Sequence, residues 1–177
     1  MKLASIKDFS TVDGPGLRLV LFLTGCPHNC DGCHNPELQD YNYGVDWKIE
    51  DIVEYIEDRR YWIDGITLSG GEPLFQLNAV KELLTLLRSN DNTKYLNVII
   101  YTGYMFEQIP NDIKTLTDII IDGKYEKSLP PTKYADSSNQ RIFQKVMGKH
   151  FKEVDANELS LPKTRHIRAI YRTNAKR

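Results

Sequence analysis

Four short runs, residues 17–24, 66–69, 96–102 and 118–122, are mostly aliphatic rather than alternating, and each is followed at once by a glycine: Gly25, Gly70, Gly103 and Gly123. Continuous apolar runs of this length belong to strands buried on both faces of a parallel sheet, whereas strict alternation marks a strand with one wet face. Between the runs the spacing changes. Ile49, Ile52, Val53 and Ile56 fall at i, i+3, i+4 and i+7, and Val80, Leu83, Leu84 and Leu87 repeat that spacing, which predicts two amphipathic helices. Asp46 and Asn78 are their predicted N-caps.

Strands alternating with helices build βαβ units on a mostly parallel sheet. At roughly 30 residues per unit, 177 residues hold five or six units, short of the roughly 250 residues of a closed eightfold barrel. The expected fold is therefore α/β: an incomplete, open parallel β/α barrel of about five or six strands, in a single domain spanning 1–177. Ligands of such sheets collect at the carboxyl ends of the strands, where all four glycines fall. Taken one at a time, each glycine is equally well explained by strand-to-helix turn chemistry.

Composition changes this picture little. Hydrophobic residues at 41%, charged residues at 27% and a net charge of −1 give no general attraction to nucleic acid or membrane, and neither is an expected partner. The opening MKLASIKDFS has no apolar run that could serve a secretory signal, and no stretch approaches the roughly 20 apolar residues of a membrane span. The expected location is cytoplasmic.

Cysteine usage changes it a great deal. All three cysteines, Cys26, Cys30 and Cys33, lie within "LTGCPHNCDGCHNPE" just beyond the first predicted strand. An odd, clustered set in a reducing compartment points to metal binding or redox chemistry rather than to disulfides. Structural zinc usually takes four ligands; there is no second cysteine pair, and His34 is adjacent to Cys33, which strains a shared site. Three thiolates on a cubane cluster leave one iron without a protein ligand, open to a cofactor. On spacing alone a zinc-binding interaction module, a passive iron–sulfur carrier and an enzyme all stay open.

The Cys-x3-Cys-x2-Cys spacing resembles the signature of the radical S-adenosylmethionine superfamily, and "ITLSGGEPL" at 66–74 resembles that superfamily's GGEP element. "DGPGLR" at 13–18 and "DGCHNPE" at 31–37 are similar to the activating enzymes of glycyl-radical proteins. "YTGY" at 101–104, "DGKY" at 122–125 and "SSNQR" at 137–141 resemble, within that group, the activators of the anaerobic, class III, ribonucleoside-triphosphate reductase. The likeness runs from about residue 10 to residue 143. Asp136 stands where the pattern has glycine before SSNQR.

The resemblance implies a 4Fe–4S cluster held by Cys26, Cys30 and Cys33, with S-adenosylmethionine chelated at the open iron and cleaved to a 5′-deoxyadenosyl radical. The substrate would be a glycine of the large reductase subunit, which loses a hydrogen atom and stores the radical. Gly32, Cys33, His34, Gly70, Gly71 and Glu72 would border S-adenosylmethionine, Glu72 offering an acceptor to its ammonium, and Tyr101, Thr102 and Asp122 would meet it from the ends of the third and fourth strands. A flavodoxin-like donor would supply the electron. An activase of another glycyl-radical enzyme, such as pyruvate formate-lyase, and a non-catalytic electron carrier are the alternatives. No acid–base pair is required, because the cofactor carries the hard chemistry. His28 is expected to be a donor near the cluster sulfurs rather than a ligand.

Residues 124–141, "KYEKSLPPTKYADSSNQR", are too polar and proline-rich for a regular element. They predict a functional loop at a partner-facing mouth, with Asn139, Gln140 and Arg141 touching cofactor or reductase. Residues 163–177 carry six Lys or Arg and no acidic residue; the alternation of "RHIRAIYR" over 165–172 predicts an edge strand with its charged side in water.

Overall fold

The computed structural model describes residues 1–146, 148 and 150–161. The predicted edge strand over 165–172 lies outside the described residues. In chain order the strands are β1 (Lys2–Ser10), β2 (Arg18–Leu23), β3 (Val45–Asp46) and β4 (Gly65–Gly70). They continue with β5 (Asn97–Thr102), β6 (Ile119–Asp122), β7 (Arg141–Val146) and β8 (His150–Glu153). The helices are α1 (Ile49–Arg59), α2 (Leu77–Ser89) and α3 (Asn111–Leu116).

The eight strands among the described residues form one open sheet in the order β3-β1-β2-β4-β5-β6-β7-β8. The four aliphatic runs are the central strands β2, β4, β5 and β6, and they pair in parallel. The expected count of about five or six strands needs correction: β1 and β3 on one side, and β7 and β8 on the other, add antiparallel partners. Their sequences hide them because none is apolar throughout: in β7 only the adjacent Ile142 and Phe143 are buried, one on each face. β1 alternates between covered and exposed residues, and β8 is mostly exposed, so neither shows a continuous apolar run.

One face of the sheet is covered by the helices. Leu19, Leu21, Leu23, Ile66, Leu68, Val98, Ile100 and Ile120 pack there against Ile52 and Ile56 of α1, Val80, Leu83, Leu84 and Leu87 of α2, and Ile113 of α3. Neither predicted cap is used. Lys48 precedes α1 without a side-chain cap bond, and Asp46 belongs to β3; Gln76 precedes α2, which leaves Asn78 inside its first turn. Each buried Leu or Ile contributes ~1.5–3 kcal/mol, against ~1 kcal/mol for a cap, so packing decides where these helices start. Gln76 instead joins strands. Its amide Nε2 donates to Lys2 O at 2.8 Å and Thr24 O at 3.0 Å, and Oε1 accepts from Lys2 N–H at 2.8 Å. It clamps β1 to the end of β2.

The other face carries a smaller apolar cluster, in which Ile99, Ile119, Ile121 and Ile142 meet Ala135, Ala156 and Leu159. Of residues 124–141, expected to form a loop at a partner-facing mouth, Ala135 thus reaches the sheet while most of the loop stays exposed. Glu126 N–H donates to Ser137 Oγ at 3.1 Å, Asn139 Nδ2 to Lys124 O at 2.9 Å, and Gln140 Nε2 to Gly123 O at 3.0 Å. In this structure Asn139 and Gln140 staple their own loop. Among the described residues no helix is long and apolar enough to cross a membrane.

Candidate functional site

The carboxyl ends of the parallel strands point to one edge, and the chain emerges there from β2 as the cysteine loop. Gly25 N–H donates to Leu38 O at 2.8 Å and Cys26 N–H to Gln39 O at 3.1 Å, which ties the loop's entry to its exit. Between them Cys33 N–H returns to Cys30 O at 3.2 Å, and Asn29 and Gly32 adopt left-handed φ of 49° and 67°. The segment therefore curls on itself, which keeps its three cysteines on one short loop. Burial pushes the Cys26 thiol up in pKa; the His28 backbone N–H opposes this, and Glu72, Cys30 and Cys33 add to it. Cations among those sulfurs would invert the balance, since a coordinating thiol is deprotonated.

All three cysteines are free and partly exposed. Among the described residues no three His, Cys, Asp or Glu side chains gather around one point as a single metal ion would require. Three thiols on one short loop suit an iron–sulfur cluster, whose irons are separate corners.

The Gly70-Gly71-Glu72 turn interlocks with this loop through backbone. Gly71 N–H donates to Leu23 O and Glu72 N–H to Gly25 O, both at 2.8 Å. A Cβ at Gly71 would lie 2.6 Å from Gly25 O and 2.7 Å from Leu38 O, so glycine is required by the close passage of the cysteine loop itself. Gly70 has φ +105°, where a Cβ would meet β2 backbone.

Glu72 is not the free acceptor expected of it. Its carboxylate is buried, and each oxygen accepts twice: Oε1 from Leu74 N–H at 2.9 Å and Thr102 Oγ1 at 2.8 Å, Oε2 from Gly103 N–H at 2.7 Å and His28 Nε2 at 2.8 Å. The Thr102 hydroxyl is thereby committed to Glu72 and offers no free donor to a cofactor. Tyr101, one residue earlier, turns to the opposite face and packs with the Ile99 cluster, and burial drives its phenol pKa upward. Asp122 is wholly buried, and Arg141 grips it with two bonds, Nε to Oδ1 at 3.1 Å and Nη2 to Oδ2 at 2.5 Å. Asp122 also accepts from Phe106 N–H, so it locks β7 and a turn rather than presenting an open carboxylate.

Gly32 and His34 lie on the outer rim against the 124–137 segment. The Lys127 side chain crosses Gly32, and the His34 ring sits 4.6 Å from that of Tyr125 and 3.6 Å from Asp136 Oδ2. A cavity of about 570 Å³ opens beside the cysteine loop, lined by His28, Gly103, Tyr104, Met105, Gly123 and Lys124 among others. The sequence reading missed the pairing of His28 with Glu72; the available signal was that a glutamate at the buried end of an apolar strand needs donors.

A cysteine loop set on the carboxyl ends of an open α/β sheet and locked to a glycine-rich turn defines an iron–sulfur domain. Residues 12–143 match the family model described as a 4Fe-4S single cluster domain. The chain is 37% identical over 142 residues to the anaerobic ribonucleoside-triphosphate reductase-activating protein of Enterobacteria phage T4, covering 77% of this chain and 90% of that one. The proteins of the same name from Haemophilus influenzae and Escherichia coli K12 are 32% and 33% identical over 139 residues, each covering 74% of this chain and 90% of theirs. The chain belongs to the family of anaerobic ribonucleoside-triphosphate reductase-activating proteins.

Proposed function

We propose that this chain is the activating enzyme of an anaerobic ribonucleoside-triphosphate reductase, cleaving S-adenosylmethionine with one electron and placing a glycyl radical on the large reductase subunit. The observation that carries the reading is the backbone interlock of the three-cysteine loop with Gly70-Gly71-Glu72 at the carboxyl edge of the parallel strands. Relatives bearing the activating-protein name over 90% of their length support it.

Cys26, Cys30 and Cys33 would hold the cluster. When bound, a 4Fe–4S cluster supplies the electron and an open coordination position. Gly32, Cys33 and His34 on one side and the main chain of Gly70, Gly71 and Glu72 on the other border the place where S-adenosylmethionine would lie. Tyr101, Thr102 and Asp122 support these borders through their packing and hydrogen bonds. The residues orient the cofactor and keep water from a radical, and no side chain has to move a proton. A one-electron donor of flavodoxin type completes the balance: S-adenosylmethionine plus one electron gives methionine and the adenosyl radical, which takes a hydrogen atom from glycine to become 5′-deoxyadenosine.

The test is 5′-deoxyadenosine formation by anaerobically reconstituted protein with dithionite, alone and with the reductase, alongside a glycyl-radical signal by electron paramagnetic resonance. Product and radical that both vanish in Cys30→Ala are expected. A loaded cluster with no product in the reductase's presence would overturn the reading in favour of electron transfer. Product without a glycyl signal would point to another substrate.

A further inference from the structure

The buried carboxylate after the paired glycines reaches back to the cysteine loop. From Cys26 to Glu37 no residue is buried as a whole, so this stretch has no apolar side chain to hold it down. His28 is the exception by side chain: only 8% of it is exposed. Its Nε2 meets Glu72 Oε2 at 2.8 Å, and its ring lies 4.6 Å from that of Tyr104 in an edge-to-face arrangement. It is wedged so closely over Gly103 that a Cβ there would overlap the imidazole.

A carboxylate only accepts hydrogen bonds, so Nε2 carries the proton and Glu72 fixes the tautomer. The other three donors to Glu72, the Leu74 and Gly103 N–H groups and the Thr102 hydroxyl, come from the turn after β4 and from the end of β5. These groups sit at or just beyond the carboxyl ends of β4 and β5, outside the cysteine loop. The His28 bond is the one that reaches into the cysteine loop, and the His28 backbone N–H is directed at Cys26.

We propose that Glu72 is a positioning residue that acts through His28, pinning the turn between Cys26 and Cys30 to the ends of β4 and β5 so that the cluster ligands are held in place before iron arrives. This rests on the cluster-binding reading above. It also leaves the Glu72 side chain with no acceptor to spare for a cofactor ammonium. Partners that orient a metal-binding loop in this way commonly change metal retention by about 10- to 100-fold when removed.

The experiment follows the loss of cluster absorbance to an excess of a ferrous chelator, in anaerobically reconstituted parent, His28→Ala, His28→Gln and Glu72→Gln proteins, with far-UV circular dichroism of each metal-free form. Glutamine can place its Nε2 near that of histidine and donate the same bond. The expected result is loss about 10-fold faster or more in His28→Ala and Glu72→Gln, with His28→Gln restored to within about 3-fold of the parent. Parent-like retention in His28→Ala or in Glu72→Gln would overturn the proposal, and so would His28→Gln failing as badly as His28→Ala. If His28→Ala does not fold, His28→Gln and Glu72→Gln decide it. A parent that binds no cluster would overturn the cluster reading together with this proposal, whereas a loaded parent with indifferent variants overturns this one alone.

Discussion

Arg18 Nε donates to Thr67 Oγ1 at 2.6 Å, joining β2 to the neighbouring strand β4, and neither residue is exposed. The same guanidinium donates to the carbonyls of Pro15, Ile66 and Asn97. Burial pushes its pKa down to about 10, the nearby acidic groups of Tyr101, Asp64, Asp118 and Asp13 working against that fall. Arg18→Ala leaves several buried oxygens short of a donor, at about 1–3 kcal/mol each. Urea unfolding of the metal-free protein is expected to show a loss of at least about 3 kcal/mol, with Arg18→Lys between the two because an ammonium lacks the planar fork. A loss below about 0.5 kcal/mol would remove Arg18 from the account of stability.

The grip of Arg141 on Asp122 ties the start of β7 to the end of β6. Asp122→Asn removes the charge from a buried partner and disturbs the bond from Phe106 N–H. Because Arg141 keeps some contact with water and with Glu107, the expected loss is about 2 kcal/mol, below the 3–5 kcal/mol of a fully buried pair. Chemical denaturation of the two proteins measures it.

Tyr101 gives a pH dependence with a definite sign. Its phenol is raised by burial, with Asp13 adding to the rise and Arg18 opposing it. Above the unfolded value of about 10, the unfolded chain releases a proton that the folded chain keeps, so stability falls as pH rises. Tyr101→Phe removes this contribution. Its unfolding free energy from urea titrations should fall less steeply than the parent's over that range, by at most about 1.4 kcal/mol per pH unit. Identical slopes would mean that the phenol ionises in the folded state as it does in water.

Gly71 and Gly123 separate two reasons for glycine. A Cβ at Gly71 would collide with backbone oxygens of the cysteine loop, which cannot swing aside, whereas at Gly123 the nearest atom is 3.6 Å away and only the φ of +100° is strained. Gly123→Ala is expected to cost about 1–2 kcal/mol, the left-handed backbone penalty. Gly71→Ala is expected to cost more and to lower iron incorporation on reconstitution. Equal iron content in both variants would contradict the interlock.

The four parallel strands were legible because burial on both faces demands unbroken aliphatic runs, and α1 and α2 were legible from their apolar spacing. The cysteine loop was legible for a simpler reason: its donors are neighbours in the chain, so spacing alone groups them. β1 and β8 were not, since a strand with a wet face can satisfy its partner with a few residues and leave the rest polar, and β7 was not because its buried run is only Ile142 and Phe143. The caps at Asp46 and Asn78 failed because helix starts were decided by packing and by the Gln76 clamp.

Sequence by itself determined the parallel core, the edge at which ligands collect and the thiol set, since all of these are local patterns repeated along the chain. Only the tertiary structure decided what the polar residues at that edge do. Glu72 and His28 are 44 residues apart and Asp122 and Arg141 are 19 apart. A buried carboxylate must find donors somewhere, but which donors it finds depends on how the strands stack, which no local pattern records. The same holds for residues 124–140, polar in composition and mostly exposed, yet anchored at Tyr134 and Ala135 on an apolar cluster whose other members come from β5, β6, β7 and the segment after β8.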